Sequence, residues 1–92
     1  MILNELNKRP IISFGLGRIE LTVPVGEIVT IWQNEMFNTS SFNMYHDGDR
    51  KDNVHHFDFE APAVGEYFFE VTIVNTRTEQ ERISNKIKLI VV

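Results

Sequence analysis

The residues with the most obvious capacity for chemistry stand together in the segment HDGDRKDNVHH, residues 46–56. Its three histidines and three aspartates are all potential metal ligands. A calcium loop needs oxygen ligands at alternate positions and a closing glutamate. Asp47 and Asp49 begin that spacing, but Lys51 takes the third slot and no glutamate follows. The pattern therefore favours a solvated hairpin turn over a calcium site.

The two histidines that close this segment are poorly spaced for zinc. His55 and His56 are adjacent, so in an extended chain they point to opposite faces and do not readily share one ion. Histidines on a strand surface are the simpler interpretation, with His55 at the rim of the core because it has the parity of Phe57.

No catalytic constellation is visible in the rest of the chain. Ser13, Ser40, Ser41 and Ser84 lack the context of a nucleophile elbow. Gly15–Gly17 precedes a strand pattern and not a helix, which argues against a phosphate-binding loop. Cysteine is absent, which excludes disulfides, thiol nucleophiles and Cys-ligated zinc. The sequence therefore predicts a protein that is not an enzyme and holds neither a metal nor a cofactor.

Composition narrows the class further. The chain has 92 residues and a net charge of −4, with no basic patch of the kind that nucleic-acid binding requires. No apolar run approaches the ~20 residues of a membrane-spanning helix, and the N-terminus lacks the pattern of a signal peptide. We expect a flexible N-terminal arm over residues 1–9, a single domain over residues 10–92, and no binding to nucleic acid or membrane.

The elements that must position any site are strands. In the segment EAPAVGEYFFEVTIV, residues 60–74, apolar side chains recur at every second position from Tyr67 to Ile73. A period of two is typical of a half-buried strand. Pro62 and Gly65 stand just before the run and mark a sharp turn into it. Further strands are predicted at Pro10–Phe14, Arg18–Val23, Glu27–Gln33, Phe42–His46, Val54–Phe59 and Ile83–Val92.

Three motifs occur in the order that immunoglobulin-like domains have. Gly65-Glu66-Tyr67 resembles the turn into strand F, which implies a tyrosine corner at Tyr67. The string VPVGEIVTI, residues 23–31, is similar to the start of strand B, with Gly26 in the turn. Residues 44–48, MYHDG, resemble the end of strand C.

The departures from the antibody pattern are informative. Phe69 and Gln33 occupy the slots where antibody domains have cysteines, and Met44 occupies that of the hallmark tryptophan. The resemblance is therefore to cysteine-free Ig-like and PKD-like modules of bacterial surface proteins and phage virions. It implies an all-β, Ig-like Greek-key β-sandwich of about seven strands. The residues expected to define this fold are Tyr67, Gly65, Gly26, Phe69, Val29 and Ile31.

Two polar loops are predicted outside the core, and the strand that leads into the first of them ends in two unusual residues, Trp32 and Gln33. Asn34–Ser41 is predicted as the loop between strands B and C, and Asn75–Arg82 as the F–G hairpin tip at the same end of the sandwich. A core Gln33 would need hydrogen-bond partners, so we expect its strand to be leaving the core there. Trp32 has the opposite parity to Ile31, so it either covers the sandwich edge or is exposed as a contact.

The function expected from the resemblance is structural or binding. The first hypothesis is a phage virion decoration or accessory protein of capsid or tail, located in the virion. The alternative is an Ig-like spacer or ligand-binding repeat of a surface adhesin or carbohydrate-active enzyme, located outside the cell. The expected partners are a capsid or tail protein, a neighbouring domain, a surface glycan or a second copy of the chain. The candidate contacts are Trp32, Phe37, Asn38, Arg77, Glu79, Ile90 and Val92. The apolar end of the last strand needs cover, from a neighbouring strand or from a partner.

Overall fold

The computed structural model describes residues 9–92, which contain ten β-strands and no helix. The predicted N-terminal arm lies outside the described residues, apart from Arg9. The strands are β1 (Ile12–Ser13), β2 (Glu20–Val23), β3 (Ile28–Gln33), β4 (Phe42–His46), β5 (Asp49–Arg50), β6 (His56–Glu60), β7 (Gly65–Phe69), β8 (Thr72–Asn75), β9 (Glu81–Ile83) and β10 (Ile87–Val91).

The strands form three sheets arranged in two layers. One layer is the antiparallel sheet β1–β3–β6. The opposite layer consists of two sheets in succession, β5–β4–β8–β9 and β2–β10–β7. In the second of these, β10 pairs in parallel with β2 and antiparallel with β7. The predicted all-β sandwich is confirmed.

A single hydrophobic core fills the space between the layers. The inward positions predicted from the alternation are buried, including Val29 and Ile31 of β3 and Leu89 of β10. Phe69 is at the centre: its ring lies 4.9 Å from that of Phe59 and 6.2 Å from that of Phe14, measured between centroids. Phe69 is on β7 and Phe59 is on β6, so their contact links both layers of the sandwich. Buried aromatic rings contribute heavily to core energetics.

The turns carry the residues that their backbone conformations demand. Asp47 and Gly48 form the two-residue turn between β4 and β5, with φ of +50° and +81°. This is the hairpin geometry that an Asp-Gly pair favours. Gly26 and Gly65 have φ of +91° and +152°, which L side chains rarely adopt; Gly26 lies in the turn before β3, and Gly65 is the first residue of β7.

Tyr67 makes a backbone contact that closes the turn into β7. Its hydroxyl donates a hydrogen bond of 2.7 Å to the carbonyl oxygen of Ala63, four residues upstream. This is the contact that the tyrosine-corner resemblance predicts. The bond ties the loop before β7 to the strand that follows it.

Both long strands predicted for the C-terminal half are interrupted at the same level. The strand predicted from Tyr67 onward divides into β7 and β8, and the one predicted at Ile83–Val92 divides into β9 and β10. At the break, the amide of Val71 donates to Ser84 Oγ at 2.9 Å, and that hydroxyl donates to the carbonyl of Asn85 at 2.7 Å. The Ser84 hydroxyl thus replaces a ladder bond, because serine side chains compete for backbone groups.

Asn85 connects this break to the opposite layer. Its Oδ1 accepts from the amide of Ile12 at 2.8 Å, and its Nδ2 donates to the carbonyl of Ile12 at 3.0 Å. The side-chain amide therefore pairs with the free edge of β1 as a neighbouring strand would. Nearby, the Arg9 guanidinium donates to the carbonyls of Ile83 and Ser84 at 3.1 and 3.3 Å.

Residues 9–92 contain ten strands, because the two breaks divide two of the seven predicted strands and β5 adds another. Two further sequence predictions need correction. The strand predicted from Val54 begins at His56, since Asn53 Oδ1 accepts the amides of His55 and His56 in place of a ladder partner.

Gln33 does not leave the core. It is buried, with 5% of its surface exposed. Its Nε2 donates to the carbonyls of Glu35 and Val54, and its Oε1 accepts from the amide of Glu35, at 2.7 to 2.9 Å. A buried amide is tolerated because its donors and acceptor are satisfied.

The hydrogen bond from Tyr67 to Ala63 can be tested with a single hydroxyl deletion. We expect Tyr67→Phe to lower the free energy of unfolding by roughly 1 kcal/mol, the usual net contribution of one such hydrogen bond. Denaturant titration measures the change. Tyr45→Phe is the matched control, since the structure gives the Tyr45 hydroxyl no bond within residues 9–92. Equal losses in both variants would contradict the role assigned to Tyr67.

The contact between Asn85 and Ile12 can be tested in the same way. Asn85→Ala removes both side-chain bonds and leaves the amide and carbonyl of Ile12 without those partners, so we expect a loss of roughly 2 kcal/mol in unfolding free energy. Asn34→Ala is the control, because that exposed side chain makes no hydrogen bond within residues 9–92 and its loss should change stability by less than about 0.5 kcal/mol. An unchanged denaturation midpoint for Asn85→Ala would show that this bridge is dispensable.

Candidate functional site

The outer face of the β1–β3–β6 sheet carries the most distinctive exposed side chains. Alternate residues of β3 point to solvent, and the strand register sets each against an outward residue of β6. The three cross-strand pairs are Ile28 with Glu60, Thr30 with Asp58, and Trp32 with His56. We call Trp32, His56, Thr30 and Asp58 the Trp32 face.

Trp32 is exposed yet held in place. The side chain is 44% exposed, and its ring centroid lies 5.2 Å from that of His56. On the other side the indole lies against Gly15, where a Cβ would stand only 3.8 Å from the indole Cδ1 and Nε1. The ring thus covers the β1 end of the sheet, which was one of the two alternatives left open by the sequence, and it still presents a surface to solvent.

Thr30 and Asp58 form the polar half of the face. The Thr30 hydroxyl donates a 2.7 Å hydrogen bond to Asp58 Oδ1 across the two strands. The other carboxylate oxygen has no partner within residues 9–92. The bond fixes the carboxylate beside the aromatic pair and leaves one oxygen as an acceptor for a ligand.

The loop next to Trp32 has an unusual conformation. In the turn Gly15-Leu16-Gly17, Leu16 has a φ of +51° and is 97% exposed. A bulky non-glycine residue in this region is uncommon, and such strain concentrates at functional sites. The turn thus holds an apolar side chain out to solvent, next in sequence to the Gly15 that lies against the indole.

A polar groove opens on the far side of β6. Strands β5 and β6 are edge strands of their sheets, and the gap between them forms a cavity of about 420 Å³. Residues 50–53 line one wall, and His56, Phe57 and Asp58 line the other. The backbone amide of Gln33 donates to the His55 carbonyl. Hydrogen-bonded and non-hydrogen-bonded pairs alternate along an antiparallel ladder, so the backbone N–H and C=O of Asp58 point away from β3 and toward this groove. The groove and the Trp32 face therefore share His56 and Asp58.

Two predicted loops, Asn34–Ser41 and Asn75–Arg82, lie together as the sequence predicts, but one candidate contact in them is buried. The amide of Thr76 donates to the carbonyl of Ser41 at 2.9 Å, which joins the two loops. Phe37 is only 3% exposed and packs on Phe42, with ring centroids 5.1 Å apart. The prediction of Phe37 as a surface contact is wrong, because the loop turns this ring into the core.

The other loop candidates are exposed but belong to turn structure. Asn38 Oδ1 accepts from the amide and hydroxyl of Ser40, which shapes the first loop. Arg77 and Glu79 are exposed at the hairpin tip, where Glu79 has a φ of +62°. None of these side chains is brought near the Trp32 face by a contact in the structure.

The last strand is not a free docking edge. β10 is the central strand of its sheet, with β2 on one side and β7 on the other. Ile90 is half-buried and Val92 is exposed beyond the strand end. The cover that the apolar tail needs is therefore supplied by neighbouring strands, and its edges offer no pairing surface.

The histidine and aspartate side chains of residues 46–56 are not brought together at one point. Within residues 9–92 there is no group of three histidine, cysteine, aspartate or glutamate side chains that could hold a metal ion. His46 is not a surface histidine: its side chain is 12% exposed and stacks on Phe57, with centroids 5.1 Å apart. Strand alternation turns it toward the core, away from His56.

His46 carries an electrostatic cost. Burial lowers its pKa below the ordinary value of 6.5, and Lys51 adds to that shift, while Asp47 and Asp49 oppose it. Its Nε2 is buried without a hydrogen-bond partner, since Asp47 Oδ2 is 3.6 Å away. A neutral imidazole is therefore favoured in the folded protein.

Comparison with known proteins supports the fold and goes no further. The sequence matches neither a known family model nor a curated protein. The structure is similar to part of the X-ray structure of an endo-beta-1,4-mannanase from Thermotoga petrophila, with a TM-score of 0.52 and 14% sequence identity. The match covers 92% of this chain and 20% of the mannanase chain. Residues 9–92 contain no helix that is long and apolar enough to cross a membrane.

Of the four residues of the Trp32 face, only Trp32 was a candidate from the sequence. The parity of Trp32 showed that it points away from Ile31. Thr30, His56 and Asp58 have the same outward parity in their strands, which was the available signal. Their proximity depends on the register between β3 and β6, and no residue pattern specified that register.

The buried histidine predicts an acid-sensitive fold. Below pH 6.5 the unfolded chain binds a proton at this position that the folded chain resists, so the free energy of unfolding falls as pH drops from 7 through that value. We expect His46→Phe to lose less stability between pH 7 and 5 than the wild type, measured by denaturant titration at each pH. His56→Gln, which keeps His46, should retain the acid loss. Parallel pH profiles for His46→Phe and wild type would contradict this assignment.

Proposed function

We propose that this chain is a non-catalytic, Ig-like module that binds glycans through the Trp32 face. It would serve as an accessory domain of a carbohydrate-active enzyme or of an extracellular surface protein. The observation that carries the proposal is an exposed indole held between Gly15 and His56, with an oriented carboxylate on the same face.

The chemistry of sugars fits this arrangement. One face of a pyranose ring presents C–H groups, which pack on the flat face of an indole and release water from both. The ring hydroxyls donate and accept hydrogen bonds and need polar partners at the rim of the contact. Trp32 supplies the flat surface, and Asp58 supplies an acceptor beside it.

The pre-set geometry favours binding over a purely spacing role. An indole that is already fixed by two neighbours loses little conformational freedom when a ligand arrives. The open form of the face suits a polymer that extends past the site at both ends. An enclosed pocket, which catalysis usually requires, is not part of this surface.

The structural comparison supports this alternative more than the virion hypothesis. The part of the matched structure that this chain resembles is one fifth of a chain described as an endo-beta-1,4-mannanase. The virion role has no support from the comparisons and stays a prediction from the sequence resemblance. Its proposed docking strand is the centre of a sheet and has no free edge.

Replacing the indole tests the proposal. We expect Trp32→Ala to reduce affinity for a bound polysaccharide at least tenfold, since a buried aromatic contact of this kind contributes about 2 kcal/mol. Affinity electrophoresis against soluble galactomannan, xylan, hydroxyethyl cellulose and polygalacturonate identifies a ligand, and calorimetry gives the affinity.

The matched control is a second exposed aromatic on the opposite layer. Phe68 is 55% exposed on β7, and Phe68→Ala should leave polysaccharide binding unchanged. Absence of binding to every polysaccharide by the wild-type protein would refute the proposal. Equal losses in the two variants would move the site away from the Trp32 face.

A further inference from the structure

We propose that the Trp32 face selects neutral over acidic sugars, with Asp58 accepting a hydrogen bond from a sugar hydroxyl and Thr30 positioning that carboxylate. The inference rests on the proposed glycan-binding function and adds the chemical class of the ligand. It follows from the charges on the face and from the geometry of one carboxylate.

The outward side chains of β3 and β6 include two carboxylates. On β6 they are His56, Asp58 and Glu60, and on β3 they are Ile28, Thr30 and Trp32. No lysine or arginine points outward from these two strands. A uronic acid or sulfated sugar stacked on Trp32 would bring its anion near the Asp58 carboxylate, and like charges at short range repel.

Three cations, Arg18, Lys51 and Arg50, belong to elements next to the Trp32 face. The Arg18 guanidinium donates at 3.5 Å to the carbonyl of Gly15, the residue that the indole lies against. Lys51 Nζ lies 4.7 Å from the centre of the Phe57 ring, in a cation–π contact on the core side of β6. Arg50 is on β5, across the groove from β6. None of these side chains forms an ion pair with Asp58 within residues 9–92.

Asp58 is prepared to receive a hydroxyl donor. Thr30 donates to Oδ1 at 2.7 Å and so restricts rotation of the carboxylate, while the second oxygen has no partner within residues 9–92. A hydrogen bond from a neutral hydroxyl to an ionised carboxylate is about twice as strong as one between neutral groups. The ligand that uses both Trp32 and Asp58 is therefore a neutral sugar with a hydroxyl close to its C–H face.

The test compares neutral and acidic polysaccharides on the same protein by calorimetry. The neutral probes are galactomannan, xylan and hydroxyethyl cellulose, and the acidic probes are polygalacturonate and alginate. We expect the wild type to bind at least one neutral probe and to bind both acidic probes at least tenfold more weakly at low salt. Asp58→Asn should weaken the neutral interaction about tenfold, the effect of losing one charge-assisted bond, and should narrow the gap to the acidic probes.

Positioning by Thr30 has its own readout. Thr30→Val should approach the affinity of Asp58→Asn, whereas Thr30→Ser, which keeps the hydroxyl, should restore wild-type affinity. Glu27→Gln, a loss of negative charge in an exposed turn away from the face, should change neither affinity nor selectivity.

The outcomes separate this inference from the function on which it rests. If Trp32→Ala abolishes binding but acidic probes bind as tightly as neutral ones, or Asp58→Asn has no effect, selectivity by Asp58 is wrong and glycan binding stands. If the wild type binds no probe of either class, both proposals fail. Self-association that Trp32→Ala abolishes, without any glycan binding, would instead make the face a contact between copies of the chain and overturn both.

Discussion

The sandwich depends on how the chain satisfies its backbone where two long strands break together. Val71 and Ser84 face each other at that level, both fully buried, and an unpaired amide there would cost a large share of a small domain's stability. The Ser84 hydroxyl accepts the Val71 amide, and the adjacent Asn85 reaches across to Ile12. One short polar pair thus lets the second layer divide into two sheets and joins it to the first.

This bridge decides which side of the sandwich is closed. On the bridged side, Asn85 occupies the free edge of β1, and β2 pairs with β10. On the other side, β5 and β6 have no strand between them and leave the polar groove open. The candidate site therefore lies on the β1–β3–β6 sheet. The β1 edge of this sheet is joined to the opposite layer by Asn85, and its β6 edge is open to the groove.

Residue patterns predicted the parts of the fold that depend on alternation, and failed where a side chain takes over backbone bonding. The period of two placed Ile31, Phe69 and Leu89 in the core correctly. It could not show that Ser84 and Asn53 replace ladder bonds, because serine and asparagine are also frequent in exposed turns, where they replace no ladder bond. The prediction for Gln33 was wrong for a related reason: its burial depends on the carbonyls of Glu35 and Val54, which only the folded loops bring within reach.

The same limit applies to the site, and it bears on how such a surface would work. Trp32 could be found from parity, but Asp58 lies 26 positions further on and its place beside the indole comes from strand register alone. A face with one stacking ring and one free carboxylate oxygen offers a ligand few contacts, and small contacts yield weak affinities. Weak binding suffices where a module is attached to a larger protein or repeated, because linkage makes each further contact intramolecular and raises avidity without new interactions. An open, modest face of this kind therefore suits an accessory module that keeps a larger protein near an extended glycan more than a receptor that must capture a free sugar.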